Sequence, residues 1–165
     1  MSKNKSVITI FLLAFLILYS GCGFTPIYKQ SDYEIDFGSY KVAIENESAV
    51  SRAIIEKIRE TFTSSGEQRY KVSMSISETE VPLIINSNGT ISKYRIEIFI
   101  DYILINLMTD EQIKEDTVRG YAQYDVQESE IANMETKDSM LKSATNEALQ
   151  IMLSKIQGNL SRNDN

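Results

Sequence analysis

The chain has 165 residues, with 17 Lys and Arg against 23 Asp and Glu, a single Cys, and neither His nor Trp. Without His there is no Ser-His-Asp or Cys-His nucleophile system and no imidazole base near neutral pH. One thiol excludes an internal disulfide and zinc sites built on Cys and His.

Lys3 and Lys5 open the chain, and Val7 to Leu18 is an apolar stretch of twelve residues broken only by Thr9. A membrane span needs roughly 20 apolar residues, so the stretch is short for an N-terminal transmembrane anchor, the alternative reading. A basic start, a short apolar core and small residues before a cut site describe a secretory signal peptide over residues 1–21. The segment Leu18-Tyr19-Ser20-Gly21-Cys22 resembles the lipobox of bacterial lipoproteins, with Tyr19 where Leu is commonest. That resemblance implies cleavage before Cys22 and a thioether to diacylglycerol on its sulfur. Two or more acyl chains give stable anchoring, at about 0.8 kcal/mol per buried CH₂. Gly23 follows the cysteine, and by the same resemblance leans the sorting toward the outer membrane.

The mature part, 22–165, keeps 15 bases and 23 acids, a net charge of −8. That charge repels phosphate backbones, and no basic stripe with interleaved aromatics appears, so nucleic acid is rejected as a partner. Residues 22–39 lack periodicity and read as a lipidated tether, 40–160 as one domain, and 161–165 as a polar tail.

Tyr40 to Ile44 alternates as a short half-buried strand. Asn46 or Ser48 is a candidate cap for the helix that follows, whose stripe is Val50, Ala53, Ile54, Ile58 and Phe62 and whose end is near Gly66. Gln68 to Thr79 alternates again, with Tyr70, Val72, Met74 and Ile76 inward and a solvated opposite face. Pro82 then interrupts, which predicts an edge-like or irregular piece. Asn88-Gly89 is a strong hairpin signal. From Ser92 to Met108, Tyr94, Ile96, Ile98, Ile100, Tyr102 and Leu104 share a core face. At about 3.3 Å per residue this strand approaches 50 Å, long enough to predict a bulge or bend. Thr109 to Gln112 reads as its turn, and Ile113 to Val126 returns with Val118, Gly120, Ala122, Tyr124 and Val126 inward. Gly120 and Ala122 are small enough to admit a close helix. The last element is a helix from about Ser129 to Gln157, capped by Ser129 and stopped at Gly158. Lys137 and Asp138 interrupt its apolar stripe, so its first turns project from the core. The predicted class is α+β, with two helices on one face of a four-stranded, largely antiparallel, mixed sheet.

Little here suits catalysis. Glu97 and Asp101 stand roughly 13 Å apart along one strand, beyond the 5–9.5 Å of hydrolytic carboxylate pairs. Glu78 with Glu80 and Glu128 with Glu130 read as solvated acids. Asp32, Glu34 and Asp36 lack the glycine and terminal Glu of an EF-hand loop. No Gly-rich phosphate loop is present. No enzyme activity, cofactor or metal is expected. Lys93 and Arg95, with Lys71, Arg69 and Arg119 on neighbouring strands, form either a basic spot for anionic headgroups or an ordinary solvated sheet face.

The run Cys22-Gly23-Phe24-Thr25-Pro26-Ile27-Tyr28 resembles the mature N-terminus of LPS-assembly lipoproteins of the LptE type, in the form common in alphaproteobacteria. Asn88-Gly89 before Ser92-Lys93-Tyr94-Arg95-Ile96, and Gly120 to Val126 before an acidic helix start, extend the resemblance over almost the whole mature chain. The resemblance implies two helices on a mixed four-stranded sheet, and no enzyme. It implies a plug inside a large outer-membrane β-barrel that inserts lipopolysaccharide into the outer leaflet. Lipopolysaccharide is a further implied ligand, through basic groups at two places. This chain has Ile84, Ile85 and Asn86 at one of them, and Lys137 as the sole cation near Met134 at the other. Asn86, Ser87, Asn88, Gly89 and Thr90, with Lys93 and Arg95, are the candidate contacts to the barrel or to lipid. A lipoprotein accessory of an ABC-type lipid transporter is the competing reading.

Overall fold

The structure is a computed structural model that describes residues 40–63 and 66–163. The signal segment, Cys22 and the tether lie outside the described residues. Strand β1 is Tyr40–Ile44, helix α1 Arg52–Thr61, strand β2 Tyr70–Ile85, strand β3 Ile91–Asn106, strand β4 Glu111–Asp125, and helix α2 Glu130–Asn163. The strands stand in chain order, β1-β2-β3-β4. β1 is parallel to β2, and the other two pairings are antiparallel. Both helices pack against this mixed sheet, the α+β class expected from the alternation and helix periods.

Alternation decides which face is covered. Val72, Met74, Ile96, Ile98, Ile100 and Leu104 are essentially inaccessible, as are Ile54 and Ile58 of α1 and Ala144, Ala148, Leu149, Met152 and Ile156 of α2. Burying a Val, Leu, Ile or Met side chain stabilises by about 1.5–3 kcal/mol. Thr145 lies among them because its hydroxyl donates to the Leu141 carbonyl at 2.7 Å. The apolar contact of α2 begins at Leu141. Ile131 and Met134 in its first turns are 71 % and 65 % exposed, so that end projects as the sequence suggested.

Four local expectations change. Ser51, not Asn46 or Ser48, occupies the N-cap of α1, and its hydroxyl donates to Glu78 Oε1 at 2.7 Å. Asn46 instead precedes a short 3₁₀ turn over Glu47–Ala49, and α1 ends at Thr61 rather than near Gly66. The turn after β3 sits earlier, over 107–110, where Asp110 takes a φ of 56°. Helix α2 runs through Gly158 to Asn163, five residues past the expected stop and into the expected tail. A glycine within a helix costs only about 0.5–1 kcal/mol, less than the burial of Met152, Leu153 and Ile156 just before it contributes.

Pro82 does not end β2. Its partner is Tyr94, and the register shifts on either side of Ile84. β1 pairs with β2 only as far as Met74, so among the described residues Pro82 lies on a free edge, where a missing N–H costs no ladder bond. The bulge expected in the long strand is present as a register shift between Leu104 and Ile105 against β4.

Candidate functional site

The β2–β3 hairpin closes with a three-residue loop rather than a bare Asn-Gly turn. Gly89 N–H donates to Asn86 O at 2.9 Å, and Asn86 N–H to Thr90 O at 2.8 Å. Gly89 has a φ of 83°, while Asn88 stays at negative φ, so the turn requires left-handed backbone only at the glycine. The polar side chains bind one another. Asn86 Nδ2 donates to Thr90 Oγ1 at 2.9 Å, and that hydroxyl donates to Asn88 Oδ1 at 2.7 Å. Asn88 Oδ1 also accepts the Thr90 N–H at 3.1 Å. The tip is therefore exposed but ordered by its own hydrogen bonds.

The hairpin does not keep its apolar surface covered. Leu83, Ile84 and Ile85, on the limb leading to the tip, are 37 %, 48 % and 63 % exposed. Val126 N–H donates to Ser92 O at 2.9 Å, which brings the end of β4 beside the hairpin base. Val126, expected inward, is instead exposed, and it shares this end of the sheet with the hairpin and the projecting start of α2. Exposed apolar clusters rimmed by polar groups mark interaction sites.

The sequence-predicted basic spot is dispersed, and two of its members, Lys93 and Arg95, are paired with acids. Lys93 lies opposite Asp125 and meets it at 3.3 Å, and Arg95 binds Glu97 at 2.6 Å. Arg119 stands opposite Phe99, its guanidinium carbon 5.9 Å from the ring centre. Lys71 is opposite Ile105, ten residues along β3 from Arg95 and so roughly 33 Å away.

The tie that holds this end together was not visible in the sequence. Glu80 accepts a short hydrogen bond from the Tyr124 hydroxyl, and the Lys137 ammonium lies 2.8 Å from its other oxygen. One carboxylate so joins β2, β4 and the start of α2. Burial alone would raise the Glu80 carboxyl, but Lys137 and Tyr124 outweigh it and hold the group below the usual carboxylate range. Burial, reinforced by the Glu80 hydrogen bond and charge, pushes the Tyr124 hydroxyl up. Tyr124 also stacks on Tyr94, ring centres 5.6 Å apart. Asn133 fixes the entry to α2, accepting Gln127 N–H at 2.5 Å and donating to Gln127 O at 2.9 Å. In the sequence the three residues read separately: Glu80 as a solvated acid, which the structure corrects, Tyr124 on the core face, and Lys137 as an interruption of the apolar stripe and the sole cation near Met134.

No family model matches the chain, and no curated protein sequence matches it. The fold does match solved structures. A Caulobacter crescentus protein described as a lipoprotein aligns over 76 % of this chain and 93 % of its own, with a TM-score of 0.56 and 13 % identity. An uncharacterized lipoprotein B from Nitrosomonas europaea aligns over 74 % of this chain and 83 % of its own, with a TM-score of 0.53 and 11 % identity. At such identities the likeness is one of fold.

Proposed function

We propose that the chain is a lipid-anchored outer-membrane lipoprotein, without a catalytic step, that plugs and helps assemble the β-barrel translocon inserting lipopolysaccharide into the outer leaflet. The observation that carries the reading is the run from Cys22 to Tyr28 directly after a short apolar segment, ahead of two helices on a mixed four-stranded sheet. Solved structures of the same fold are described as bacterial lipoproteins, which supports the anchor. The self-bonded hairpin tip and its apolar flank supply a surface suited to a protein wall. Lys93 and Arg95 are engaged by acids of this chain, so protein contact is favoured over headgroup capture.

The test places a photo-crosslinker at Ser87, Thr90 or Lys93 in turn, in cells. The expected result is one large adduct containing an outer-membrane β-barrel from at least one position. Adducts only with an inner-membrane transporter would favour the ABC-accessory reading.

A further inference from the structure

The two outer edges of the sheet are finished differently. Along β4, Glu147 Oε2 accepts the Tyr121 N–H at 2.8 Å and Lys155 donates to the Thr117 carbonyl at 3.3 Å, so α2 caps the middle of that edge with side chains. Thr117 N–H is taken by Asp116 Oδ1 at 2.8 Å. At the opposite edge β1 covers β2 only from Tyr70 to Met74. Glu45 N–H then donates to Met74 O at 2.8 Å. The Asn46 amide closes on Ile76 with both atoms, accepting its N–H at 3.1 Å and donating to its carbonyl at 2.6 Å.

The N–H and C=O of one strand residue point to the same side, and the sides alternate along the chain. Since Met74 and Ile76 present theirs outward, Glu78 and Glu80 do so too. Among the described residues no strand pairs with β2 on this side beyond Met74, yet β2 continues to Ile85. Residues 77–80 and 82–85 are exposed. Such an edge is a template for another strand.

Charge discriminates between occupants. A second copy pairing about a two-fold at Glu78, Thr79 or Glu80 would set these acids directly opposite one another, and like charges there destabilise. Ser77 to Ile85 contains two acids and no base. Glu80 is already held by Lys137 and Tyr124, whereas among the described residues Glu78 has only the Ser51 hydroxyl. A strand bearing Lys or Arg beside Glu78, and apolar residues toward Leu83 to Ile85, complements this edge. A closed barrel wall cannot supply it, because every strand there is already paired on both sides.

We infer that the free edge of β2, Glu78 to Ile85, takes up by strand addition an extended loop or terminal segment of the barrel partner, with a Lys or Arg of that segment against Glu78. The inference rests on the barrel reading above. It is tested by residue-resolved hydrogen exchange on the full lipidated protein from outer membranes, alone and with its co-purifying barrel. The Glu78 and Glu80 amides should exchange at least about tenfold slower in the complex, while Ser77 and Thr79, bonded to β3, change little. Glu78→Pro removes one outward donor and should speed barrel release about tenfold beyond Glu78→Ala, which loses the same Ser51 bond but keeps the donor. Glu78→Lys, which keeps the donor and reverses the charge, should also speed release. A barrel that co-purifies without protecting these amides overturns the inference and leaves the barrel reading intact. Protection that grows with concentration in the barrel-free protein assigns the edge to a second copy and overturns it. Failure of any barrel to co-purify overturns the barrel reading and the inference with it.

Discussion

A Cβ added to Gly120 would stand 2.1 Å from the carbonyl oxygen of Ala144, so the main chains of β4 and α2 touch at this point. The same atom would lie 2.6 Å from Ala148 N. Main chain cannot swing aside as a flexible side chain can. Gly120→Ala must therefore push the helix off the sheet, and a loss of roughly 1–3 kcal/mol or more in urea unfolding is expected. Gly158 is the contrasting case, because a Cβ there meets nothing within 4 Å among the described residues. Gly158→Ala should stabilise the same protein by about 0.4–1 kcal/mol. Equal effects of the two substitutions would contradict this packing.

Tyr102 is 1 % exposed, and its hydroxyl has no hydrogen-bond partner among the described residues. Burial, with the Asp116 charge, pushes its pKa up to about 12. Removing an unsatisfied buried hydroxyl while keeping the ring recovers part of a penalty of about 1–3 kcal/mol. Tyr102→Phe should thus melt at or above the wild-type temperature. A clear drop would reveal a bonded hydroxyl.

The Glu80 tie predicts a pH dependence. Its folded pKa lies below the ordinary 4.5, so its contribution is full above that value and is lost as pH falls through the folded pKa. Glu56 and Asp116 are lowered too, so the wild-type curve alone is not diagnostic. Glu80→Gln and Lys137→Met should each melt lower near neutral pH. They should also lose less than wild type as pH falls below the ordinary carboxylate value and through the folded pKa, where the Glu80 carboxylate takes up its proton. A slope identical to wild type in both variants would remove Glu80 from the acid response.

Much of the fold was legible because single-period segments carry it. The alternation of Tyr40 to Ile44 coincides with β1, and the apolar face from Ile96 to Leu104 is buried throughout. Gly120 could be read as a helix seat because a small residue on a core face has few other uses. The extent of β2 could not be read, since Pro82 is tolerated only where the neighbouring strand has stopped, a tertiary fact. The Glu80 cluster was hidden for the same reason. Its members are 44 and 57 residues from Glu80 in the chain, and no local pattern links them. The exposure of Leu83 to Ile85 was missed because an apolar run looks the same whether or not a layer covers it.

The anchor makes a separate prediction. A lone thiol directly after a short apolar core suits thioether lipidation. Cells fed a clickable palmitate should label the protein, and Cys22→Ser should abolish the label. Label retained in that variant would remove the lipid anchor from the proposed function.

Strand order equal to chain order has a kinetic consequence. The most distant strand partners are Tyr70 and Asn106, 36 residues apart, and that pairing zips outward from the hairpin turn. Loop-closure entropy rises with the logarithm of loop length, and chains built from near-neighbour contacts fold quickly. The three long strands can form their ladders from two tight turns before α2 docks. β1 needs only the α1 connection, since Tyr40 pairs with Tyr70. The sheet of residues 40–125 therefore forms without waiting for the two ends of the chain to find each other.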